Sequence, residues 1–405
     1  MTETIIVIGG GQAAAAFVAK LRELKPDCRI AIIGAEASLP YQRPPLSKKY
    51  LTGEMSAERL LLRPAQWYRD ARIDCHTGAQ ATAISPRART VTLQDGQVLA
   101  YDWLLVATGS QPRRLPAGMG GDLDGVHVLR SLADADRLAP EMTPGRRMLV
   151  VGGGYIGLEA AAVAASRGLQ VHVAEMAERI LQRVAAPLTS DYFRALHTSH
   201  GVDIREGASL LRLVGENGRV CGAEFADGER LEVDFVLAGI GVTANDALAR
   251  EAGLATDNGI CVDPAARTSD PHIHAAGDCA SFEFDGRRVR LESVQNAIEQ
   301  GEIAARAIAG EAVRYRPVPW FWSDQYDVKL QIAGLNAGYD RTVARPGTRE
   351  GGQSVWYFSA GRFIAVDAAN DPRAYMFGKR LLELGRTLTP EQAADPQCDL
   401  KALVQ

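Results

Sequence analysis

Ile5-Ile6-Val7-Ile8-Gly9-Gly10-Gly11-Gln12-Ala13-Ala14 and Met148-Leu149-Val150-Val151-Gly152-Gly153-Gly154-Tyr155-Ile156-Gly157 follow one pattern. Each opens on an apolar run, crosses three glycines and enters an alanine-rich stretch. After the first, the chain reads as a helix to Leu24 and a strand over 30–33, with Glu36 just beyond. After the second it reads as a helix to Ser166 and a strand over 171–174 that ends on Glu175. Short, uninterrupted apolar runs are the mark of strands buried on both faces in parallel sheets. Strand, glycine turn, helix, strand and acid, in that order, make a dinucleotide-binding unit.

The chemistry demands small residues in these turns. Gly9, Gly11 and Ala14 fill the G-x-G-x-x-G/A positions of the first unit; Gly152, Gly154 and Gly157 fill them in the second. The first position allows the tight turn, the second lets backbone N–H groups reach a pyrophosphate, and the third lets helix and strand pack closely. Ala13 and Ile156 lie inside the same turns, where the positive end of the helix faces the phosphates. Glu36 and Glu175 each follow at the distance of about 20 residues from which a carboxylate reaches the adenosine ribose. No arginine directly follows Glu175 to welcome a 2′-phosphate, Arg179 being the nearest downstream, so the second unit is expected to take NADH rather than NADPH.

A chain of 405 residues exceeds the usual size of one hydrophobic core, and its 46% hydrophobic content suits two or three folded domains. A net charge of -4 gives no overall attraction to nucleic acid or to an anionic membrane. No apolar segment approaches the roughly 20 residues needed to span a bilayer. No basic leader precedes the first apolar run, and a cytoplasmic protein is expected. The six cysteines form neither a Cys-x-x-Cys pair nor a zinc pattern, so reduced structural thiols and no metal are expected. His197 and His200 sit just before Gly201, a spacing that suggests imidazoles facing the carbonyls of a helix end. His272 and His274 read as structural.

Three further segments carry a family resemblance: Leu104-Leu105-Val106-Ala107-Thr108-Gly109-Ser110, Asp234-Phe235-Val236-Leu237-Ala238-Gly239-Ile240-Gly241, and Thr268-Ser269-Asp270-Pro271 through Ala276-Gly277-Asp278. With the two glycine turns, they resemble the pyridine-nucleotide disulfide oxidoreductase superfamily, in which an inserted NAD domain interrupts an FAD domain. The implied fold is α/β, with two Rossmann-like dinucleotide-binding domains of the glutathione reductase type and an α+β C-terminal domain. The expected boundaries are 1–108 and 241–317 for the FAD domain, 109–240 for the NAD domain and 318–405 for the C-terminal domain. In the last, 328–334, 353–358 and 362–367 read as strands and 374–384 as a helix.

Within the superfamily, Arg43-Pro44-Pro45-Leu46-Ser47-Lys48, Gly154-Tyr155-Ile156-Gly157-Leu158-Glu159 and Trp320-Phe321-Trp322-Ser323-Asp324-Gln325-Tyr326 resemble the ferredoxin reductases of bacterial P450 and aromatic-ring oxygenase systems. The resemblance implies that Asp278, beside Gly277, holds the ribityl chain of FAD, that Thr108, Gly109 and Gly241 lie at the domain crossings, and that Ala81, Arg130 and Val294 touch the FAD. It places Trp322 at the flavin edge, in a cluster with Trp320 and Tyr326, and Lys48 near flavin N5, paired with Glu159. Taken alone, Lys48 and Glu159 also read as ordinary surface residues near helix starts. Relatives often carry an acid directly after the glycine of the second strand; here Ala35 intervenes and Glu36 is expected to serve by itself.

Disulfide reductases of the superfamily carry a cysteine pair in the helix following Pro40, and thiol-dependent oxidases a single cysteine. This chain has Pro44-Pro45-Leu46-Ser47-Lys48 there. The implied cycle takes a hydride from NADH onto FAD and passes single electrons to a [2Fe–2S] ferredoxin, held transiently and electrostatically. Arg63, Lys329, Lys379 and Arg380 are candidates for its basic dock. Reduction of rubredoxin, a quinone or monodehydroascorbate, and an NADH-sensing signalling role, stay open, as does the oligomeric state.

Overall fold

The computed structural model describes residues 2–405. The chain forms two compact units, each built from three stretches: that ending at Arg43, Ser56–Gln111 and Val242–Pro317 in the first, and Pro44–Met55, Pro112–Gly241 and Val318–Gln405 in the second.

The first unit is organised on a five-stranded sheet in the order Ile273–Ala275, Trp103–Val106, Thr4–Ile8, Arg29–Gly34, Ile73–Thr77. Every pairing in it is parallel. Thr4–Ile8 is the central strand because its isoleucines and valine have a hydrophobic layer to fill on both faces; Ile5 and Val7 are wholly buried. The helix Gln12–Leu24 lies on the sheet and buries Phe17, Val18 and Leu21 completely, each contributing roughly 1.5–3 kcal/mol. A second helix, Val294–Ile308, packs so tightly on the first that a Cβ on Gly301 would sit 2.5 Å from the Ala13 carbonyl oxygen. An antiparallel meander, Ala81–Ser85, Thr90–Leu93 and Val98–Ala100, completes the core with Ala81, Ile84, Val91 and Leu93.

The second unit repeats the arrangement with Asp203–Glu206, Gln170–Glu175, Arg147–Val151, Phe235–Ala238 and Val126–His127, again all parallel. It also contains a five-stranded antiparallel sheet in the order Trp320–Gln325, Val328–Gly334, Arg362–Ala369, Gln353–Ser359, Arg341–Pro346, covered by the helix Pro372–Glu383. The three strands and the helix expected after residue 318 are present. Trp320–Gln325 and Arg341–Pro346 are additional edge strands. The α/β class with an antiparallel C-terminal sheet is therefore the fold of this chain. No described helix is long and apolar enough to cross a membrane.

Candidate functional site

In each parallel sheet the glycine turn follows the central strand, Thr4–Ile8 in the first and Arg147–Val151 in the second. Gly9 has φ +120°, and a Cβ on it would lie 2.1 Å from the Ala107 carbonyl oxygen; Gly152 has φ +105°, with the Gly239 carbonyl oxygen at 2.5 Å. The two turns thus fold by the same device: the first glycine is pressed against the backbone of the crossing strand. The second glycine behaves oppositely. A Cβ on Gly11 or Gly154 would meet nothing within 4 Å, so each turn leaves open space over its backbone, as the approach of a phosphate requires. Both residues are the N-caps of their helices and provide no side-chain acceptor, leaving the first helical N–H groups to a ligand. In the third position a Cβ on Gly157 would strike the Gly152 carbonyl oxygen at 2.4 Å. Ala14 is fully buried and Ile156 is exposed.

Around the first turn, Gly277 donates its N–H to Gln300 Oε1 at 2.9 Å and faces Ala13. Val294 opens the Val294–Ile308 helix, capped by Ser293. Ser110 Oγ donates to Asp278 Oδ2 at 2.9 Å. Thr108 and Asn245 are joined reciprocally: Thr108 Oγ1 donates to the Asn245 carbonyl at 2.6 Å and Asn245 Nδ2 donates to the Thr108 carbonyl at 3.0 Å, while Asn245 N–H bonds to the Gly109 carbonyl. Glu36 accepts from Tyr41 Oη at 2.5 Å and pairs with Arg43 at 2.6 Å. Ala81 begins the neighbouring meander and is buried.

Around the second turn, Glu175 accepts from Gly153 N–H at 2.7 Å through one oxygen and from Ala177 N–H at 2.8 Å through the other. A carboxylate has about four acceptor sites, so both oxygens retain capacity for sugar hydroxyls. Gly241, at φ +94°, packs on the Arg183 guanidinium. Arg130 lies beyond the strand Val126–His127, its N–H bonded to Asp134.

Glu159, on the helix Tyr155–Ser166, is buried and accepts three side-chain bonds: Ser47 Oγ and Lys48 Nζ, both at 2.7 Å, on Oε2 and Ser323 Oγ, also at 2.7 Å, on Oε1. Lys48 uses a second N–H on the Pro44 carbonyl at 3.3 Å. The expected Lys48–Glu159 pair is therefore present within the second unit, and its charges are only 18% and 6% exposed. Position 47 carries a hydroxyl that ties down Glu159, and the stretch Arg43 to Lys48 holds no cysteine. All six cysteines are free, and burial pushes the Cys279 thiol up.

Two sequence readings are corrected. Trp320, Trp322 and Tyr326 do not form one cluster. Trp320 and Trp322 pack at 5.6 Å between ring centroids, with Lys379 over Trp320, whereas Tyr326 stacks on His200 at 3.7 Å. Trp320 and Trp322 share a strand face, and Tyr326 leaves it at a turn with φ +55°. His197 does not face the helix-end carbonyls. It is wholly buried, bonded to Gln325 at 2.7 Å, and desolvation pulls its imidazole down to about 4; His200 alone reaches the Leu196 carbonyl. The polar surroundings of Glu159 were missed. Ser323 and Gln325 stand two apart on a strand, hence on one face, but the aromatic residues of that segment drew the reading.

Comparison with known proteins agrees with this geometry. Residues 3–301 match the family model for pyridine nucleotide-disulphide oxidoreductases, and residues 320–404 match that for the reductase C-terminal domain. The chain is 43% identical to a ferredoxin–NAD(P)(+) reductase of a Sphingomonas species, covering 99% of this chain and 98% of the relative. It is 42% identical to rhodocoxin reductase of Rhodococcus erythropolis, covering 99% and 94%. It superposes with a TM-score of 0.96 on putidaredoxin reductase in its covalent complex with putidaredoxin, at 38% identity over 99% and 98% of the two chains. The chain belongs to the pyridine nucleotide-disulphide oxidoreductase family, as an oxidoreductase that uses a flavin and a pyridine nucleotide.

Proposed function

We propose that this protein is an NADH-dependent FAD reductase that feeds a [2Fe–2S] ferredoxin serving a cytochrome P450 or a ring-hydroxylating oxygenase. The observation that carries the reading is the Lys48–Glu159 ion pair, which Ser47 joins from a segment, Arg43 to Lys48, that holds no cysteine to serve as a dithiol outlet. Without that outlet, reducing equivalents leave for an external acceptor. The names of relatives sharing about 40% of their residues over full length point to ferredoxins.

Bound FAD supplies the conversion of one hydride into two single electrons. The chain's own residues bind and orient. Gly11 and Gly154 leave backbone N–H groups open to the two pyrophosphates, and Asp278, steadied by Ser110, accepts from ribityl hydroxyls. Glu36, braced by Tyr41 and Arg43, and Glu175, braced by the turn it faces, accept from the two adenosine riboses, and Glu175 repels a 2′-phosphate. Lys48, aimed by Glu159, keeps a positive charge and a hydrogen-bond donor for the reacting rings. Trp322 would line the flavin edge. Free thiols suit a reducing, cytoplasmic compartment.

The test is to reduce the purified yellow holoprotein with NADH and add an acidic [2Fe–2S] ferredoxin, a quinone or air in turn. Fast reoxidation by the ferredoxin is expected. Fast reoxidation by the quinone alone overturns the assignment, and slow reoxidation by every acceptor favours a sensing role.

A further inference from the structure

The contacts of Glu159 continue well beyond Lys48. Ser323 Oγ, which donates to Glu159 Oε1, lies 3.2 Å from Gln325 Nε2; Gln325 Oε1 lies 2.7 Å from His197 Nε2; His197 Nδ1 lies 3.3 Å from Tyr326 Oη. Ser323, Gln325 and His197 are all wholly buried, so none can exchange its partner for water without opening the fold. The Tyr326 ring then stacks on exposed His200.

One set of protons satisfies this chain. Glu159, paired with the Lys48 ammonium, is an acceptor, so Ser323 gives its single hydroxyl proton to it. Ser323 Oγ must then receive, which turns the Gln325 NH2 toward it and the amide oxygen toward His197. His197 therefore carries its proton on Nε2 and leaves Nδ1 bare, open to the Tyr326 hydroxyl. Every donor in the series points toward Glu159. A second proton on His197 would turn Nδ1 into a donor facing Tyr326, and a proton on Glu159 Oε1 would face that of Ser323. The groups facing His197 are Gln325, Tyr326 and His200, and those facing Glu159 are Ser47, Lys48 and Ser323; desolvation disfavours a charged His197 and outweighs the Gln325 hydrogen bond that would favour it. The amide in the middle also rules out easy proton conduction, because Gln325 would have to pass through its imidic acid.

We propose that Ser323, Gln325 and His197 are positioning residues: a polarised, non-conducting hydrogen-bond series that fixes the rotamer of Glu159 and so the aim of the Lys48 ammonium. This rests on the proposed role of the Lys48–Glu159 pair in NADH oxidation.

The test uses 15N-histidine-labelled holoenzyme. His197 should appear as the neutral Nε2–H tautomer, unprotonated down to pH 5. Glu159→Gln should move the His197 Nε2 resonance although the two residues do not touch, and Gln325→Glu should raise the His197 pKa by at least two units. In single-turnover reduction by NADH, Ser323→Ala should slow the limiting rate about tenfold with little change in the apparent Kd for NADH, and Ser323→Thr should restore most of it. Ser323→Ala avoids any folding defect caused by replacing His197 itself. A His197 signal indifferent to Glu159→Gln, or a Ser323→Ala rate equal to wild type when Lys48→Ala is slow, overturns the proposal. If Lys48→Ala is as fast as wild type, the catalytic reading of the pair fails, and the resonance shift alone decides whether the series is coupled.

Discussion

Gly9 and Gly152 carry the same strained backbone, so the same substitution separates the two nucleotides. A Cβ at either position meets a carbonyl oxygen at 2.1 or 2.5 Å, with φ values that side chains rarely adopt, a local cost of about 1–3 kcal/mol or more. Gly152→Ala should leave the flavin spectrum intact and abolish its bleaching by NADH; Gly9→Ala should yield colourless protein. Yellow protein from Gly9→Ala with normal flavin content contradicts the assignment of the first turn. At Glu175, removing the carboxylate by Glu175→Ala should narrow the preference for NADH over NADPH at least tenfold in kcat/KM. The same change also removes the acceptor for Gly153 and Ala177 N–H, so NADH affinity should fall as well. A rise in NADPH use unaccompanied by loss of NADH use would show that Glu175 acts by charge alone.

At the scale of elements, the helix Pro187–Ser199 is fastened to the strand Arg362–Ala369 by one buried acid. Asp367 Oδ2 accepts from Thr189 Oγ1 at 2.8 Å and from the Tyr357 hydroxyl, while its other oxygen has no protein partner among the described residues. Complete burial pushes this carboxyl up to about 6, against an ordinary value of 3.8. A folded value above the unfolded one means the native state holds the extra proton. Stability from Asp367 is therefore full below about pH 4 and is lost as pH rises through 6, on the order of 3 kcal/mol in all. His197, whose value is lowered to about 4, acts with the opposite sign: its contribution falls as pH drops below 6.5. The comparison of Asp367→Asn with wild type isolates the acid, and the variant should gain relative stability between pH 4 and pH 7 in urea titrations; a flat difference refutes the assignment. None of this was legible in the sequence. The glycine turns, their strands and their acids were, because period and glycine placement are local properties. Ser47, Ser323, Gln325 and His197 meet through tertiary packing between segments far apart in the chain, and no local pattern marks a residue as the partner of another 164 positions away.

For the molecule as a whole, charge is the property that the proposed partner would sense. The chain carries a net charge of -4, so a diffusing acidic ferredoxin is repelled overall and must be captured locally. The four sequence candidates are unequal in this respect. Arg63 lies over the Trp67 ring, and Lys329 stands on the strand Val328–Gly334. Lys379 and Arg380 share the helix Pro372–Glu383 with Arg373, three cations against the single carboxylate of Glu383, which lies 3.7 Å from Lys379 and 3.1 Å from Arg380. This helix therefore presents a locally positive face on an acidic molecule, and Lys379 sits 5.6 Å above the Trp320 ring. Opposed global and local fields predict a salt response specific to the partner. At a Debye length of about 8 Å in physiological salt, the local attraction is screened as ionic strength rises from 0.05 to 0.5 M, and the rate of ferredoxin reduction should fall several-fold. Reduction of a neutral quinone by the same holoprotein should stay constant over that range. Arg373→Glu, exposed and outside the nucleotide turns, should reduce both the low-salt rate with ferredoxin and its salt slope while leaving the quinone rate unchanged. A ferredoxin rate that increases with salt would mean that the net negative charge dominates the encounter and that the dock does not lie on this helix.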